Sequence, residues 1–357
     1  MEIGIVGLPN VGKSTLFNAL TGAGIAAENF PFTTIDPNVG IVPIPDERLN
    51  ALEQMWESAK VTPAGIRFVD IAGLVKGASR GEGLGNKFLA NIREVDAICH
   101  VVRCFHNEDV VNVTGDLDPV DAADIIETEL LLADLQQGQK ALERAQKMAK
   151  SGEPAAKDRA AMFAQIVEKF DQGVPARQQE IPQEVLKEYP FLTAKPLLYV
   201  ANIDENGAAP ELIGPLKERA QQDNAGLIEI CTKLEAEILE LPEEDRSMYY
   251  EEAGIVSPGL GRLARAGQEL LGLICFFTAG PQEARAWLIP QNTPAAKAAG
   301  KIHTDMERGF IRAEVYKFDD AQRLDGYNAV KDAGLVTLEG KDYPIKDGDV
   351  VFFRFSV

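Results

Sequence analysis

Gly7-Leu8-Pro9-Asn10-Val11-Gly12-Lys13-Ser14 lies between a short β-branched run, Ile3 to Val6, and a stretch that puts Leu16, Phe17 and Leu20 on one helical face. The spacing G-x-x-x-x-G-K-[ST] between a strand and a helix predicts a phosphate-binding loop. Gly7 and Gly12 let the backbone wrap round a phosphate, so that its N–H groups and the helix N-terminus face the negative oxygens. Lys13 is placed to reach the β- and γ-phosphates, and the Ser14 hydroxyl to ligate Mg²⁺. A glycine-rich turn without a ligand would give no reason for Lys-Ser to follow. A nucleoside triphosphate site is expected.

The rest of the chain sets bounds on that site. Its 357 residues predict two or three domains. With 45% hydrophobic and 25% charged residues the composition is that of a soluble globular protein. No run of about eighteen apolar residues occurs, so no membrane span is expected. The N-terminus enters a strand directly, so no leader peptide is expected either. Cys99, Cys104, Cys231 and Cys275 show no C-x-x-C spacing and read as reduced thiols of a cytoplasmic protein. The formal net charge of −19 argues against whole-surface binding to nucleic acid. Residues 278–357 hold 11 Lys and Arg against 12 Asp and Glu, leaving 25 against 43 in residues 1–277. An RNA contact is least opposed in that nearly neutral C-terminal part.

Downstream of the loop, Phe30-Pro31-Phe32-Thr33-Thr34-Ile35-Asp36-Pro37 reads as a loop before a strand at Val39 to Ile44. A threonine here suits the Mg²⁺ shell of a switch nucleotidase, with Thr34 first and Thr33 as the alternative. Ile66 to Asp70 reads as a second buried strand, ending in Asp70-Ile71-Ala72-Gly73-Leu74. Asp70 is placed to hold Mg²⁺ through water, and the Gly73 backbone N–H to meet the γ-phosphate. Four glycines between Lys76 and Gly85 suit a segment that orders only around that phosphate. Leu74 stands where Ras-type enzymes carry a Gln that orients the attacking water, and leucine cannot do so. Asn10 has two open readings, a ligand of a K⁺ ion beside the phosphates or a local loop hydrogen bond.

Asp96 to Val102 reads as a strand with His100 as a core histidine, and Asp121 to about Lys150 as a long helix. Ser151-Gly152-Glu153-Pro154 breaks that helix, and a second follows with Phe163, Ile166, Val167 and Phe170 on one face. Together they predict an antiparallel hairpin whose apolar stripe, including Ile126, Leu130, Ala133, Leu142, Ala145 and Met148, is its own seam. The α/β pattern resumes at Leu197 to Ala201, followed by Asn202-Ile203-Asp204-Glu205. Guanine-reading loops carry Asn-Lys-x-Asp, whose Asp accepts from the base N1–H and 2-amino group. Here Ile203 replaces the lysine, and Glu205, one methylene longer, replaces the aspartate; Asp204 next door leaves the point open. Leu227 to Ile230 then leads to Cys231-Thr232-Lys233, a loop bordering the base.

Gly-Leu-Pro-Asn-Val-Gly-Lys-Ser-Thr from Gly7, Phe-Pro-Phe-Thr-Thr from Phe30, Asp-Ile-Ala-Gly-Leu-Val from Asp70 and the N-x-x-E variant at Asn202 occur in one order. In that order, over the whole chain, they resemble the Obg-like ATPase family. The resemblance implies a doubly wound α/β P-loop domain over residues 1–120 and 191–277, interrupted by an inserted α-helical hairpin (a coiled coil) at 121–190. It also implies a C-terminal ubiquitin-like β-grasp, or TGS, domain at 278–357. Ile302 to Glu314 carries that last likeness. The implied activity is hydrolysis of ATP in preference to GTP, with association to ribosomes. The implied phosphate contacts are Asn10, Val11, Gly12, Lys13, Ser14 and Thr15. Mg²⁺ falls to Ser14 and Thr34 with Asp70, and the base to Asn202, Ile203 and Glu205, with Cys231 and Thr232 beside it. Lys13, Asn10 and Gly73 are the expected catalytic groups. A loop histidine implied by some relatives is replaced by Asn112, with His106 nearby but out of register.

In the C-terminal region, Phe310, Tyr316 and Phe318 read as core, with Arg308, Arg312 and Lys317 between them able to face a phosphate backbone. The expected whole is a cytoplasmic, monomeric, Mg²⁺-dependent ATPase acting as a switch on the ribosome in translation or stress response, with K⁺ as a second candidate cofactor. The rivals are an ordinary GTPase, a non-hydrolysing ATP-gated binding protein and, less well supported, a small-molecule kinase.

Overall fold

The structure is a computed structural model that describes residues 1–23, 38–71, 84–107, 117–255 and 257–356. Twelve strands occur among the described residues. They are β1 (Glu2–Val6), β2 (Val39–Pro43), β3 (Val61–Thr62), β4 (Gly65–Asp70), β5 (Ala97–Arg103) and β6 (Leu197–Asn202). The others are β7 (Gly226–Ile230), β8 (Leu273–Ala279), β9 (Ala284–Pro290), β10 (Phe310–Lys317), β11 (Thr337–Glu339) and β12 (Asp349–Phe355).

The first sheet runs β2-β4-β1-β5-β6-β7, with β1 paired in parallel to both β4 and β5, and β5, β6 and β7 continuing in parallel. Strands β5 and β6 are buried along their whole length, which accounts for their uninterrupted apolar sequences. The chain leaves β1 in both directions across the sheet, so the order reverses beside β1. In parallel sheets of this kind ligands sit at that point, outside the carboxyl ends of the strands. The register aligns those ends: Ile5 lies opposite Asp70, Val6 opposite His100, Arg103 opposite Asn202, and Asn202 opposite Ile230.

The helical insertion projects from the segment between β5 and β6. Its first helix, Pro119–Ala149, starts two residues before the predicted Asp121. Asp118 is its N-cap, accepting from the backbone N–H groups of Val120 and Asp121 at 2.8 and 3.2 Å. The second helix, Pro154–Asp171, begins with the proline that the sequence marked as the break. Ala141, Ala145, Phe163, Ile166 and Phe170 form the seam with Phe191. Met148, expected in that stripe, is instead exposed near the tip.

The described chain divides into two compact units, one of Met1–Gly22, Asn38–Gly40 and Arg67–Leu260, the other including Ile41–Ile66 and Gly261–Val357. Two expected boundaries therefore move. A limit at 277/278 falls inside β8, which pairs with β9 and β12 and belongs to the second sheet, β11-β10-β12-β8-β9-β3. Residues 41–66, expected in the nucleotide domain, supply β3 at the edge of that sheet and the helix Glu47–Trp56. Leu49 and Leu52 of the helix pack against Cys275, Phe277, Tyr316 and Val350. The C-terminal sheet is mixed, with β12 parallel to β8 and antiparallel to β10, in keeping with a β-grasp. Tyr316 and Phe318 are core, and Phe310 is half-buried against the opposite face, as expected. Of the three cations beside them, Lys317 is bound to the buried Asp349 and Arg308 to Asp305, while Arg312 is exposed and has no such pair among the described residues.

Candidate nucleotide site

β1 delivers the chain into the phosphate loop, and the loop needs its glycines for contact reasons that the structure makes visible. A Cβ on Gly7 would stand 2.5 Å from the Val101 carbonyl oxygen of β5. Gly12 has φ +98°, and a Cβ there would run into the Asn202 amide. Asn10 adopts φ 65°, the left-handed region that Asn tolerates better than most residues. Lys13 opens the helix Lys13–Gly22 and donates to the Leu8 carbonyl oxygen at 2.7 Å. Burial lowers its pKa, while Asp70 acts in the opposite sense.

Asn202, at the end of β6, ties this loop to the base loop. Its Nδ2 donates to the Val11 carbonyl oxygen at 2.9 Å, and its Oδ1 accepts from the Thr232 backbone N–H at 3.1 Å. The side chain is only 4% exposed. These two bonds make Asn202, expected beside the base, the clasp that sets one loop against the other. Val11 likewise turns its side chain into the core and offers its carbonyl to Asn202. Asp204 accepts from the Asn206 backbone N–H at 3.1 Å and side-chain amide at 2.7 Å, closing its own turn, and these bonds depress its pKa. Glu205, half-exposed, is paired to Lys233 at 3.2 Å. Cys231 is the N-cap of the helix Thr232–Leu239, and burial pushes its thiol up.

Asp70, at the end of β4, has a raised pKa because it is partly desolvated, with Lys13 opposing the shift. Its Oδ1 is buried and has no hydrogen-bond partner among the described residues. An orphan carboxylate oxygen is costly to bury, and a hydrated cation is the natural partner for one beside a phosphate loop. Ser14, an exposed residue in the first turn of the helix Lys13–Gly22, offers a hydroxyl beside the phosphate loop, so the chemistry of these donors fits Mg²⁺. Thr34 and its alternative Thr33, the γ-phosphate group Gly73, and Leu74 and Asn112 lie outside the described residues.

The phosphate loop and the base loop meet around a cavity of about 700 Å³. Asn10, Gly12, Lys13, Ser14 and Thr15 line one end, and Asn202, Ile203, Glu205, Cys231 and Thr232 the other. Residues 2–149 match the family model of the 50S ribosome-binding GTPase, and residues 273–356 match YchF-GTPase_C, described as a protein of unknown function (DUF933). The Ribosome-binding ATPase YchF of Haemophilus influenzae is 51% identical over 360 residues, covering 100% of this chain and 99% of its own. The chain belongs to the YchF family.

A Bacillus subtilis relative, also named Ribosome-binding ATPase YchF, is 48% identical over 100% of both chains. The solved structure of the Schizosaccharomyces pombe YchF GTPase is similar with a TM-score of 0.88 and 33% identity, covering 99% of this chain and 97% of that one. The names of these YchF relatives differ on the base, so its preference has to be argued from the loop.

Phe105, Asn107, Asp204 and Lys233 also line the cavity, and motif reading missed the first two. Arg103 holds them: its Nε donates to the Phe105 carbonyl oxygen at 3.1 Å and its Nη2 to that of Asn107 at 2.9 Å. The guanidinium also lies 4.7 Å from the Phe105 ring centroid. The available signal was positional, since this segment follows directly on β5 at the carboxyl edge of a parallel sheet. His106, between them, faces Glu211 at 3.4 Å. His100 is a buried core residue of β5, as expected, pushed down to about 3 by burial and then by nearby cations, so it is neutral at physiological pH.

Proposed function

We propose that this chain hydrolyses ATP to ADP and phosphate, and GTP less well, and acts as a Mg²⁺-dependent switch on the ribosome in translation or stress response. The names of its YchF relatives support the ribosomal partner, its RNA and proteins. The expectation of a monomer in the cytoplasm belongs to the same reading. Lys13 would meet the β- and γ-oxygens, the Gly73 N–H the γ-phosphate, and Asn10 a K⁺ ion beside them. Ser14, Asp70 and Thr34 would hold Mg²⁺, which neutralises charge on the transferring phosphoryl group when bound.

The observation that carries the base preference is the state of the base loop. The Ile203 side chain is apolar, and Asp204 turns its Oδ1 to the Asn206 backbone and side-chain N–H groups of its own turn. A guanine whose N1–H and 2-amino donors are buried without a carboxylate loses about 1–3 kcal/mol for each, about tenfold or more in affinity. Adenine carries neither donor. Titrating the full chain with Mg-ATP and Mg-GTP tests this, together with the double variant Ile203→Lys and Glu205→Asp, which should move preference towards GTP. Tighter binding of GTP by the wild type would overturn the ATPase reading. For the ribosomal partner the measurement is cosedimentation with ribosomes across a salt series, where loss of binding with added salt is expected if phosphates are met. No cosedimentation even at low salt would remove it.

A further inference from the structure

We propose that Lys233 is a specificity-determining residue: its ammonium engages Glu205 at the cavity rim and so withholds from guanine the acidic side chain that stands where guanine-reading loops carry aspartate. The inference rests on the ATP-preferring reading of this site. The argument begins with what the neighbouring side chains already do. Asn202 donates to the Val11 carbonyl and accepts from the Thr232 N–H, Ile203 is apolar, and Asp204 turns its Oδ1 back onto its own turn. Glu205 stands at the position where guanine-reading loops carry their aspartate, and it lines the cavity together with Asp204.

Its Oε2 lies 3.2 Å from Lys233 Nζ, which is itself 4.0 Å from Glu237 Oε1, one helical turn further on. Lys233 is the second residue of the helix Thr232–Leu239, where the positive end of the helix dipole disfavours a cation. Two carboxylates offset that disadvantage, so the side chain is held where it can engage Glu205. Glu205 side-chain exposure is 52% and that of Lys233 is 67%, so the pair is loose and screened by salt. A loose clamp is suited to setting a ratio between two bases. For Glu205 to accept from a guanine edge, it must first leave Lys233.

The test is the ratio of GTP to ATP dissociation constants, measured with Mg²⁺ on the full chain at low and high salt. Lys233→Met keeps the aliphatic stem and removes the charge, and should shift that ratio towards GTP by about 1.4- to fivefold, the size expected of one exposed ion pair. Lys233→Arg keeps the charge and should leave the ratio as in the wild type. Adding Glu205→Gln to Lys233→Met should cancel the shift, since the freed carboxylate is its cause. Raising salt should move the wild type towards the Met variant. A Met variant with the wild-type ratio, or an Arg variant that shifts as far as Met, would overturn the inference. The change of ratio is read independently of which base the wild type prefers. A wild type favouring GTP therefore sinks the ATPase reading alone, and an unmoved Met variant sinks the clamp alone.

Discussion

Asn202→Ala is the substitution that most directly tests how this site is built. It removes one hydrogen bond to the Val11 carbonyl and one from the Thr232 N–H, both in a place that water barely reaches. A buried polar group left unsatisfied costs about 1–3 kcal/mol, so the two together cost about 2–6 kcal/mol. The cost divides according to what the loops do next. If they keep their positions it falls on stability, and about 2–6 kcal/mol would lower the melting temperature by about 4–24 °C for a unit of this size. If they relax it falls on binding, because nucleotide must then restore the spacing, and affinity drops by about tenfold for each 1.4 kcal/mol. Calorimetric melting and nucleotide titration of the same preparation read both shares. Asn202→Asp should fall between wild type and Ala: it still accepts from Thr232 but sets a carboxylate against the Val11 carbonyl. An Ala variant that melts and binds ATP like the wild type would refute the clasp.

Two further outcomes are expected. Hydrolysis should run faster in K⁺ than in Na⁺ at equal ionic strength, since Asn10 lines the phosphate end of the cavity and Leu74 cannot orient water; equal rates, also unchanged by Asn10→Ala, would leave K⁺ without a role. Asp134 is buried and its carboxyl is pushed up to about 6 from 3.8 by desolvation, despite accepting from Leu192 and Thr193, so the stability it contributes is greatest below about pH 4 and falls as pH rises through 6, by about 3 kcal/mol. Asp134→Asn should therefore gain on the wild type between about pH 4 and 7 in thermal melts, and parallel pH curves would refute the shift.

What could be read from the chain depended on how far apart the interacting residues lie. The phosphate loop was legible because its strand, glycines, Lys13 and helix are neighbours, and the hairpin because Phe163, Ile166 and Phe170 repeat at helical spacing. The clasp was not, because the reason for glycine at position 12 lies in an amide 190 residues away. The place of residues 41–66 was not legible either, because Leu49 and Leu52 find their partners at Cys275, Phe277, Tyr316 and Val350, more than 200 residues on. The limit at 277/278 was misplaced because the pairing of Leu273–Ala279 with β9 and β12 is what assigns that run to the second sheet. Glu205 and Lys233 read as a base-loop variant and a loop lysine, and their pairing belongs to the fold.

The root of the helical insertion shows how these buried charges are held. Tyr199, three residues before Asn202 on β6, donates to Asp223 Oδ2 at 2.7 Å. Arg219 also donates to that carboxylate, at 2.8 Å, and Arg177 and Gln178 reach its other oxygen at 3.2 and 3.3 Å. Arg177 extends to Glu127 at 2.8 Å, and Arg219 to Asp124, both on the first insertion helix. Burial pushes both carboxyls up, yet Asp223 ends below its ordinary pKa and Glu127 above it. The donors account for the difference: four side chains serve Asp223, whereas Glu127 shares one of them. Breaking a buried ion pair by removing one partner costs about 3–5 kcal/mol, because the other charge is left uncompensated. Arg177 faces two carboxylates, so its loss strands both Glu127 and part of Asp223. The insertion is thereby tied through Asp223 to Tyr199 of β6, the strand that ends in the nucleotide clasp.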